Sequence, residues 1–180
     1  MAEMLLAMLI LLLASLIMVT GIPAAKNAYE KVVLASNAEV LLSTTVSALR
    51  GELGTARDVK AGEPVNDKDP AQEGTILTYR SLAREAYSRL FIESIKEGKS
   101  SHNVIMLQRY YDDLVPAKTS EPEKLIRDKT ATADLYVTYS AASYNEETHI
   151  VTIKDLSVNR KSGSTGLAKR DTVSIRVLSD

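Results

Sequence analysis

The sequence predicts an α+β fold, in which one long N-terminal α-helix with a membrane-embedded first half packs on an antiparallel β-sheet head. Three observations predict it. Residues 4–22 carry no charge and are almost wholly apolar. Apolar residues then recur at every third or fourth position as far as Leu53, the period of an amphipathic helix. Beyond residue 74 the apolar period changes to two, which is typical of strands. The predicted organisation is a helix over 1–54, an exposed linker loop over 55–74 and a β-rich head over 75–180.

The uncharged segment has the length of a membrane span. A bilayer core of about 30 Å needs about 20 helical residues at 1.5 Å each. A single acidic residue, Glu3, precedes the segment, and Pro23 follows it at once. The large apolar side chains of the predicted span are Met4, Leu5, Leu6, Met8, Leu9, Ile10, Leu11, Leu12, Leu13, Leu16, Ile17, Met18, Val19 and Ile22.

Three interpretations of this N-terminal segment stay open. A secretory signal would have basic residues first and small residues at a cleavage site, and only Ala24-Ala25 fits that pattern. An ordinary anchor would place the C-terminal part in the cytoplasm, because Lys26 and Lys31 follow the span and no basic residue precedes it. In the third interpretation a basic leader belongs upstream of this chain, and the visible charges do not report its orientation.

The helical pattern continues past Pro23 and favours the third interpretation. One apolar stripe is formed by Ala28, Val32, Ala35, Ala38, Leu42, Val46, Leu49 and Leu53, and Gly54 supplies a helix stop. We expect the part from about Val40 to Leu53 to cover a sheet of its own head.

These residues resemble a known family. Glu3-Met4-Leu5-Leu6-Ala7-Met8-Leu9-Ile10-Leu11-Leu12-Leu13, followed by Pro23 and a long amphipathic helix, is similar to the N-terminus of type IV pilins and type II secretion pseudopilins. The resemblance covers residues 1 to 54. It implies a leader removed by a prepilin peptidase, a methylated new N-terminus and an acidic residue that helps subunits dock. A shorter match, Thr78-Tyr79-Arg80-Ser81 with Ser88-Arg89-Leu90, resembles minor pilins and J-type pseudopilins and favours a minor subunit.

The resemblance carries the docking role over to Glu3 alone. The sequence departs from the family pattern in two ways, since the acid stands third rather than fifth and the Gly-ending basic leader is absent. A carboxylate at the edge of the hydrocarbon is costly unless it is paired, and the N-terminal amine of a neighbouring subunit is a suitable partner. The alternative is that Glu3 lies in the lipid headgroup layer.

Composition excludes several function classes. The chain has 180 residues, of which 45% are hydrophobic, a formal charge of -1 and no cysteine. Disulfides and thiol chemistry are therefore excluded. The near-neutral net charge argues against a nucleic-acid partner, because binding nucleic acid usually requires a strongly basic face.

The predicted head is mostly strands. We expect strands over 75–80, 88–93, 103–110, 133–143, 148–156 and 172–178, with a turn at 98–101, a hairpin through 144–147 and a loop over 159–171. A short helix is predicted over 121–127, with Ser120 as its cap and Pro122 at its first position.

The head shows no pattern that predicts catalysis, a cofactor or a metal. His102 and His149 are isolated from one another, and Gly163-Ser164-Thr165-Gly166 lacks the spacing of a phosphate loop or a nucleophile elbow. Asp67, Asp69 and Glu73 lack the repeated spacing of a calcium loop. We expect Arg160, Lys161, Lys169 and Arg170 to form a solvated basic loop, and the tyrosines to pack across strands.

The sequence therefore predicts a structural subunit, a minor pilin or pseudopilin, and not an enzyme. It would assemble through its N-terminal helix into a surface filament or a secretion pseudopilus after a single-pass stage in the cell membrane. By resemblance, its partners are other pilin-like subunits, a prepilin peptidase and a membrane assembly machine. The alternative is a single-pass membrane-anchored binding or sensor module with an extracytoplasmic β-rich domain.

Overall fold

The structure of the chain is a computed structural model. It describes residues 2–62, 71–82, 86–97, 100–110, 121–127, 134–162 and 166–178. The chain forms two compact units, Met1–Ser36 and Asn37–Asp180. The described elements are one helix and nine strands, and every pairing between the strands is antiparallel. The predicted α+β class is confirmed.

Helix α1 is a single element of 52 residues, Ala2–Leu53, and it runs through Pro23 without a break. Leucine, methionine and alanine dominate its first half, and these are strong helix formers. The hydroxyl of Ser15 donates to the carbonyl of Leu11 at 2.8 Å, and that of Thr20 donates to Leu16 at 2.9 Å. Both hydroxyls are thus satisfied within the helix, as an apolar environment requires.

The helix ends where the sequence predicts. Leu53 is its last residue, and the amide of Gly54 donates to the carbonyl of Arg50 at 2.9 Å. A Cβ atom at position 54 would lie 2.6 Å from that carbonyl oxygen. Glycine is therefore required at this position by a close backbone approach.

The part of α1 that belongs to the second unit is amphipathic. Its buried residues lie at steps of three and four and are Ala38, Leu41, Leu42, Thr45, Val46, Leu49 and Leu53. Burial of one large aliphatic side chain contributes roughly 1.5–3 kcal/mol. The predicted stripe is confirmed from Ala38 onward, whereas Ala28, Val32 and Ala35 in the first unit are exposed.

The first sheet has the order β1-β2-β3-β4-β5. Its strands are β1 (Ala56–Ala61), β2 (Leu77–Ser81), β3 (Ala86–Glu97), β4 (Ser100–Tyr110) and β5 (Glu123–Lys124). Leu77, Leu90 and Leu107 are direct neighbours across the three central strands and are buried. The adjacent row on the same face consists of Tyr79, Ser88 and Arg109.

The second sheet is built around β8. Its strands are β6 (Leu135–Thr138), β7 (Ala141–Asn145), β8 (Ile150–Arg160) and β9 (Gly166–Arg176). Strands β6 and β7 both pair with one edge of β8, and β9 pairs with the other edge. The hydroxyl of Tyr139 donates to the carbonyl of Thr75 at 2.7 Å and ties this sheet to the segment before β2. The predicted hairpin through 144–147 is confirmed, and so is the burial of Val173, Ile175 and Val177.

Three predictions of a loop or a helix are wrong, and the single strand expected over 133–143 is split into β6 and β7. Residues 121–127 form no helix; Lys124 pairs with Met106 instead, and the amide of Leu125 donates to the carbonyl of Ile105. The predicted loop over 55–74 contains β1, Ala56–Ala61. The predicted loop over 159–171 is largely strand, because β8 reaches Arg160 and β9 begins at Gly166. In each case pairing with a distant strand outweighs a local polar signal.

Some sequence predictions lie outside the described residues. They concern Asp67 and Asp69, the Gly98-Lys99 part of a turn, the Ser120 cap and Gly163-Ser164-Thr165.

Candidate functional site

The first half of α1 presents a continuous apolar surface. The large side chains of its predicted membrane span are between 52% and 74% exposed, the lower value for Leu13 and the higher for Met4. Exposed apolar patches of this extent mark contacts with another protein or with lipid. By length and composition the helix is sufficient for one crossing of a membrane.

Glu3 and Pro23, the two residues singled out for assembly, are not brought together. Glu3 lies in the first turn of α1, where a carboxylate interacts favourably with the helix dipole. Pro23 lies about 30 Å further along the helix at 1.5 Å per residue. Beyond it, Lys26 and Glu30 form an exposed ion pair at 3.8 Å. If both residues act in assembly, Glu3 and Pro23 would therefore contact separate positions on a neighbouring chain.

A strip of small residues runs along the same helix and was missed by the sequence reasoning. Ala7, Ala14, Gly21, Ala28 and Ala35 stand seven residues apart, and all are exposed. Seven residues turn the helix to within about 20° of two full turns, so these positions share one face. Small side chains allow a second helix to approach closely. A search of the sequence for a seven-residue period would have found the strip.

The head contains a cleft of about 400 Å³ between the end of α1, strand β4 and the β5 segment. Glu52 of the helix contacts Arg109 of β4 on its floor, with 3.4 Å between Oε1 and Nη2. Tyr79 and Ser88 lie beside Arg109 in the same row of the sheet. Burial, followed by the nearby Glu52 carboxylate, raises the pKa of Tyr79 well above its usual range, so its hydroxyl stays protonated.

A second polar cluster gathers three basic groups around Glu97. Lys161 Nζ lies 3.0 Å from its carboxylate, Lys124 Nζ lies 3.4 Å away, and His102 Nε2 lies 3.7 Å away. Hydrogen bonding from Lys161 and the charges of both lysines lower the pKa of Glu97. Because Lys161 follows β8 and Glu97 ends β3, the cluster connects the two sheets.

We expect Glu97→Gln to lower stability in a pH-dependent way. A carboxylate whose folded pKa lies below its unfolded value stabilises the fold at neutral pH, and that contribution is lost as pH falls through the folded pKa. The urea midpoint of the variant should therefore fall below that of the wild type at pH 7, and the difference should vanish toward pH 3. Glu97 is 42% exposed, so the effect is small. A difference that grows on acidification would contradict this assignment.

The two histidines have separate surroundings. The His102 ring is buried and packs against Tyr136 at 5.1 Å between centroids. His149 lies in the turn between β7 and β8, with Nδ1 3.1 Å from the Tyr144 hydroxyl. Within the described ranges, no group of three or more His, Asp or Glu side chains is placed to hold a metal ion.

Two of the four predicted basic residues, Lys161 and Lys169, contact carboxylates. Lys169 contacts Asp155 at 2.7 Å and Asp171 at 3.1 Å. These contacts raise the pKa of Lys169 and lower that of Asp155. The predicted solvated basic surface is thus partly neutralised by its own neighbours.

Comparison with protein-family models, with curated proteins and with solved structures finds no match to this chain.

Proposed function

We propose that the chain is a pilin-like structural subunit, a minor pilin or pseudopilin. One observation carries the proposal: α1 exposes an uncharged apolar surface over residues 4–22, with an acidic side chain in the turn immediately before it. The helix resides in the membrane before assembly and in the core of a filament or secretion pseudopilus afterwards. The β-rich head is displayed outside the cell membrane, and the subunit catalyses no reaction.

Glu3 supplies the register of assembly in this proposal. An isolated carboxylate at the membrane edge is unfavourable, and its cost rises with depth toward about 2.5–3.5 kcal/mol at the centre. Pairing with the N-terminal amine of an adjacent subunit neutralises the charge and fixes the axial offset between neighbours. The partners are other pilin-like subunits, together with a prepilin peptidase and a membrane assembly machine.

Glu3→Ala tests the proposal directly. In cells that carry the complete assembly system, we expect the variant to enter the membrane normally but to lose at least about 90% of its incorporation into filaments, a tenfold effect worth about 1.4 kcal/mol. The measurement is the ratio of the chain in sheared filaments to the chain in membranes. Glu3→Asp should retain part of the incorporation, because it keeps the charge.

Glu39→Ala is the matched control, since Glu39 is an exposed acid on the same helix within the second unit. It should assemble like the wild type. Normal incorporation of Glu3→Ala would refute the register role. A wild-type chain that stays monomeric beside every other component would favour the membrane-anchored binding module.

The strip of small residues gives a second test, because the chain has no cysteine of its own. Ala14→Cys and Gly21→Cys should form disulfide-linked dimers in membranes on mild oxidation, since the strip allows two helices to pack closely. Leu16→Cys is the control, as it lies about 200° around the helix from Ala14. The yield of dimer on non-reducing gels measures the contact. Equal yields at positions 14 and 16 would mean that the strip does not select the helix interface.

A further inference from the structure

The cleft in the head has the features of a ligand site that is independent of the apolar residues 4–22 of α1. Its volume of about 400 Å³ falls within the range of small-molecule and short-peptide sites, about 300–1,000 Å³. Three cationic side chains line it, those of Arg109, Lys124 and Arg127, against two carboxylates, Glu52 and Glu123. This excess of positive charge favours an anionic ligand over a cationic one.

The ion pair on the cleft floor is longer than a strong charge-assisted hydrogen bond. Arg109 Nη2 and Glu52 Oε1 are 3.4 Å apart, whereas charge-assisted hydrogen bonds of this kind are about 2.7–2.9 Å and are often bidentate. The two side chains are 14% and 21% exposed, so solvent reaches them poorly. An incoming carboxylate could therefore offer Arg109 a better geometry than Glu52 does.

Two buried hydroxyls belong to residues that lie beside Arg109 in the same row of the sheet. Tyr79 and Ser88 are 0% and 1% exposed, and neither hydroxyl has a hydrogen-bond partner within 3.5 Å among the residues that the structure describes, although Glu52 and Ser88 lie close enough to Tyr79 to influence its pKa. A buried polar group without a partner is unfavourable and calls for a physical explanation. The Tyr79 hydroxyl faces the Glu52 carboxylate and is held in its protonated, donor form.

We propose that the cleft binds a carboxylate-bearing ligand by an exchange of partners: Arg109 passes from Glu52 to the ligand carboxylate, and Tyr79 donates its hydrogen bond to Glu52. The exchange leaves both members of the original ion pair satisfied and gives the Tyr79 hydroxyl a partner. Lys124 and Arg127 lie on the adjoining wall, where Glu97 contacts Lys124 at 3.4 Å and Glu123 contacts Arg127 at 3.6 Å. Both contacts are long, so the two cations would also attract a second negative charge. The preferred ligand is thus a dicarboxylate, free or presented by an acidic peptide segment.

Binding is measured on the full chain in detergent micelles, with tyrosine labelled by ¹³C and followed by NMR. The probes are acetyl-Asp-Glu-amide and succinate, and acetyl-Asn-Gln-amide is the neutral control. We expect saturable shifts of the Tyr79 ring with the acidic dipeptide and none with the neutral one. Tighter binding of the dipeptide than of succinate would identify a peptide as the source of the carboxylates, and the reverse order would identify a free dicarboxylate.

Tyr79→Phe separates ligand binding from folding. Loss of a hydroxyl that has no partner in the free protein should leave stability unchanged or raise it. Yet it should weaken dipeptide binding about tenfold, the size expected for one hydrogen bond to a charged group. Because this variant has no Tyr79 resonance, its affinity is measured by calorimetry. Tyr139→Phe is the matched control, since its buried hydroxyl donates to Thr75; it should lose stability and keep its affinity.

Arg109→Gln should abolish dipeptide binding, and its folding is checked by circular dichroism. If that variant fails to fold, the dipeptide affinity of Tyr79→Phe still tests the proposed exchange. The proposal is overturned if acidic and neutral dipeptides bind equally, if neither acidic probe binds saturably, or if Tyr79→Phe keeps wild-type affinity. Glu3→Ala should bind the dipeptide like the wild type, so failure of the assembly proposal and failure of this one are distinguishable.

Discussion

Replacement of Phe91 by alanine should lower the free energy of unfolding by about 3–5 kcal/mol. Phe91 is 1% exposed on β3 and packs in a core cluster with Ile76, Val104 and Met106. Its ring also lies beneath the buried Arg89 guanidinium, whose carbon is 4.8 Å from the ring centroid. The truncation therefore leaves a cavity and removes the cation–π contact together.

Urea unfolding of the full chain in micelles, followed by circular dichroism, measures this loss. Phe91→Leu should recover much of it, because leucine fills most of the volume although it offers no aromatic face. Val40→Ala, at a helix position that is 62% exposed, should change stability by less than about 0.5 kcal/mol. A loss below about 1 kcal/mol for Phe91→Ala would mean that the cluster is not a packed core.

The helix could be predicted from the sequence because its signals are local and repeated. The uncharged run, the three-to-four spacing from Ala38 to Leu53 and the glycine at 54 all indicate the same element and the same end. The alternation of Val173 and Ile175 identified the buried face of β9 for the same reason, and the buried Val177 continues it just past the strand. In each case many residues indicate the same element, so the prediction does not depend on any single residue.

The polar strands could not be predicted, because their partners are distant in sequence. In β9 the exposed run at Lys169, Arg170 and Asp171 reads as loop. Lys169 and Arg170 are strand because they pair with Ser157 and Leu156 of β8. Close to this pairing, Asp155 has a φ of 54° and its carboxylate contacts the Lys169 ammonium. Residues 121–127 carried a helix-start signal over only seven positions, and pairing with β4 outweighed it.

The cleft was also beyond sequence reasoning. Glu52, Tyr79 and Arg109 belong to a helix and two strands that are widely separated along the chain, and no ligand-binding motif connects them. Only the strand register places Tyr79, Ser88 and Arg109 in one row. By contrast, Glu3 could be singled out as a candidate from sequence alone, because an acid before an uncharged span is a local signal.

Replacement of both Leu12 and Leu13 by aspartate should prevent membrane insertion of α1. An aspartate near the centre of a span costs about 2.5–3.5 kcal/mol, and each lost leucine adds about 0.5 kcal/mol, so the pair costs about 6–8 kcal/mol. The fraction of chain that resists extraction from membranes at alkaline pH measures insertion. A control variant with both Leu12→Ile and Leu13→Ile should insert like the wild type. Val40→Asp, in the second unit, should also leave insertion unchanged.

Single aspartates distinguish a helix that crosses the membrane from one that lies on its surface. Leu12 and Ala14 point about 200° apart around α1. A crossing helix is surrounded by hydrocarbon, so Leu12→Asp and Ala14→Asp should weaken insertion to a similar degree. A helix on the membrane surface buries only one face, so an aspartate on its solvent-facing side would change the free energy of membrane binding little. A large difference between the two variants would therefore place α1 in the interface and remove the transmembrane stage on which the proposed filament assembly depends.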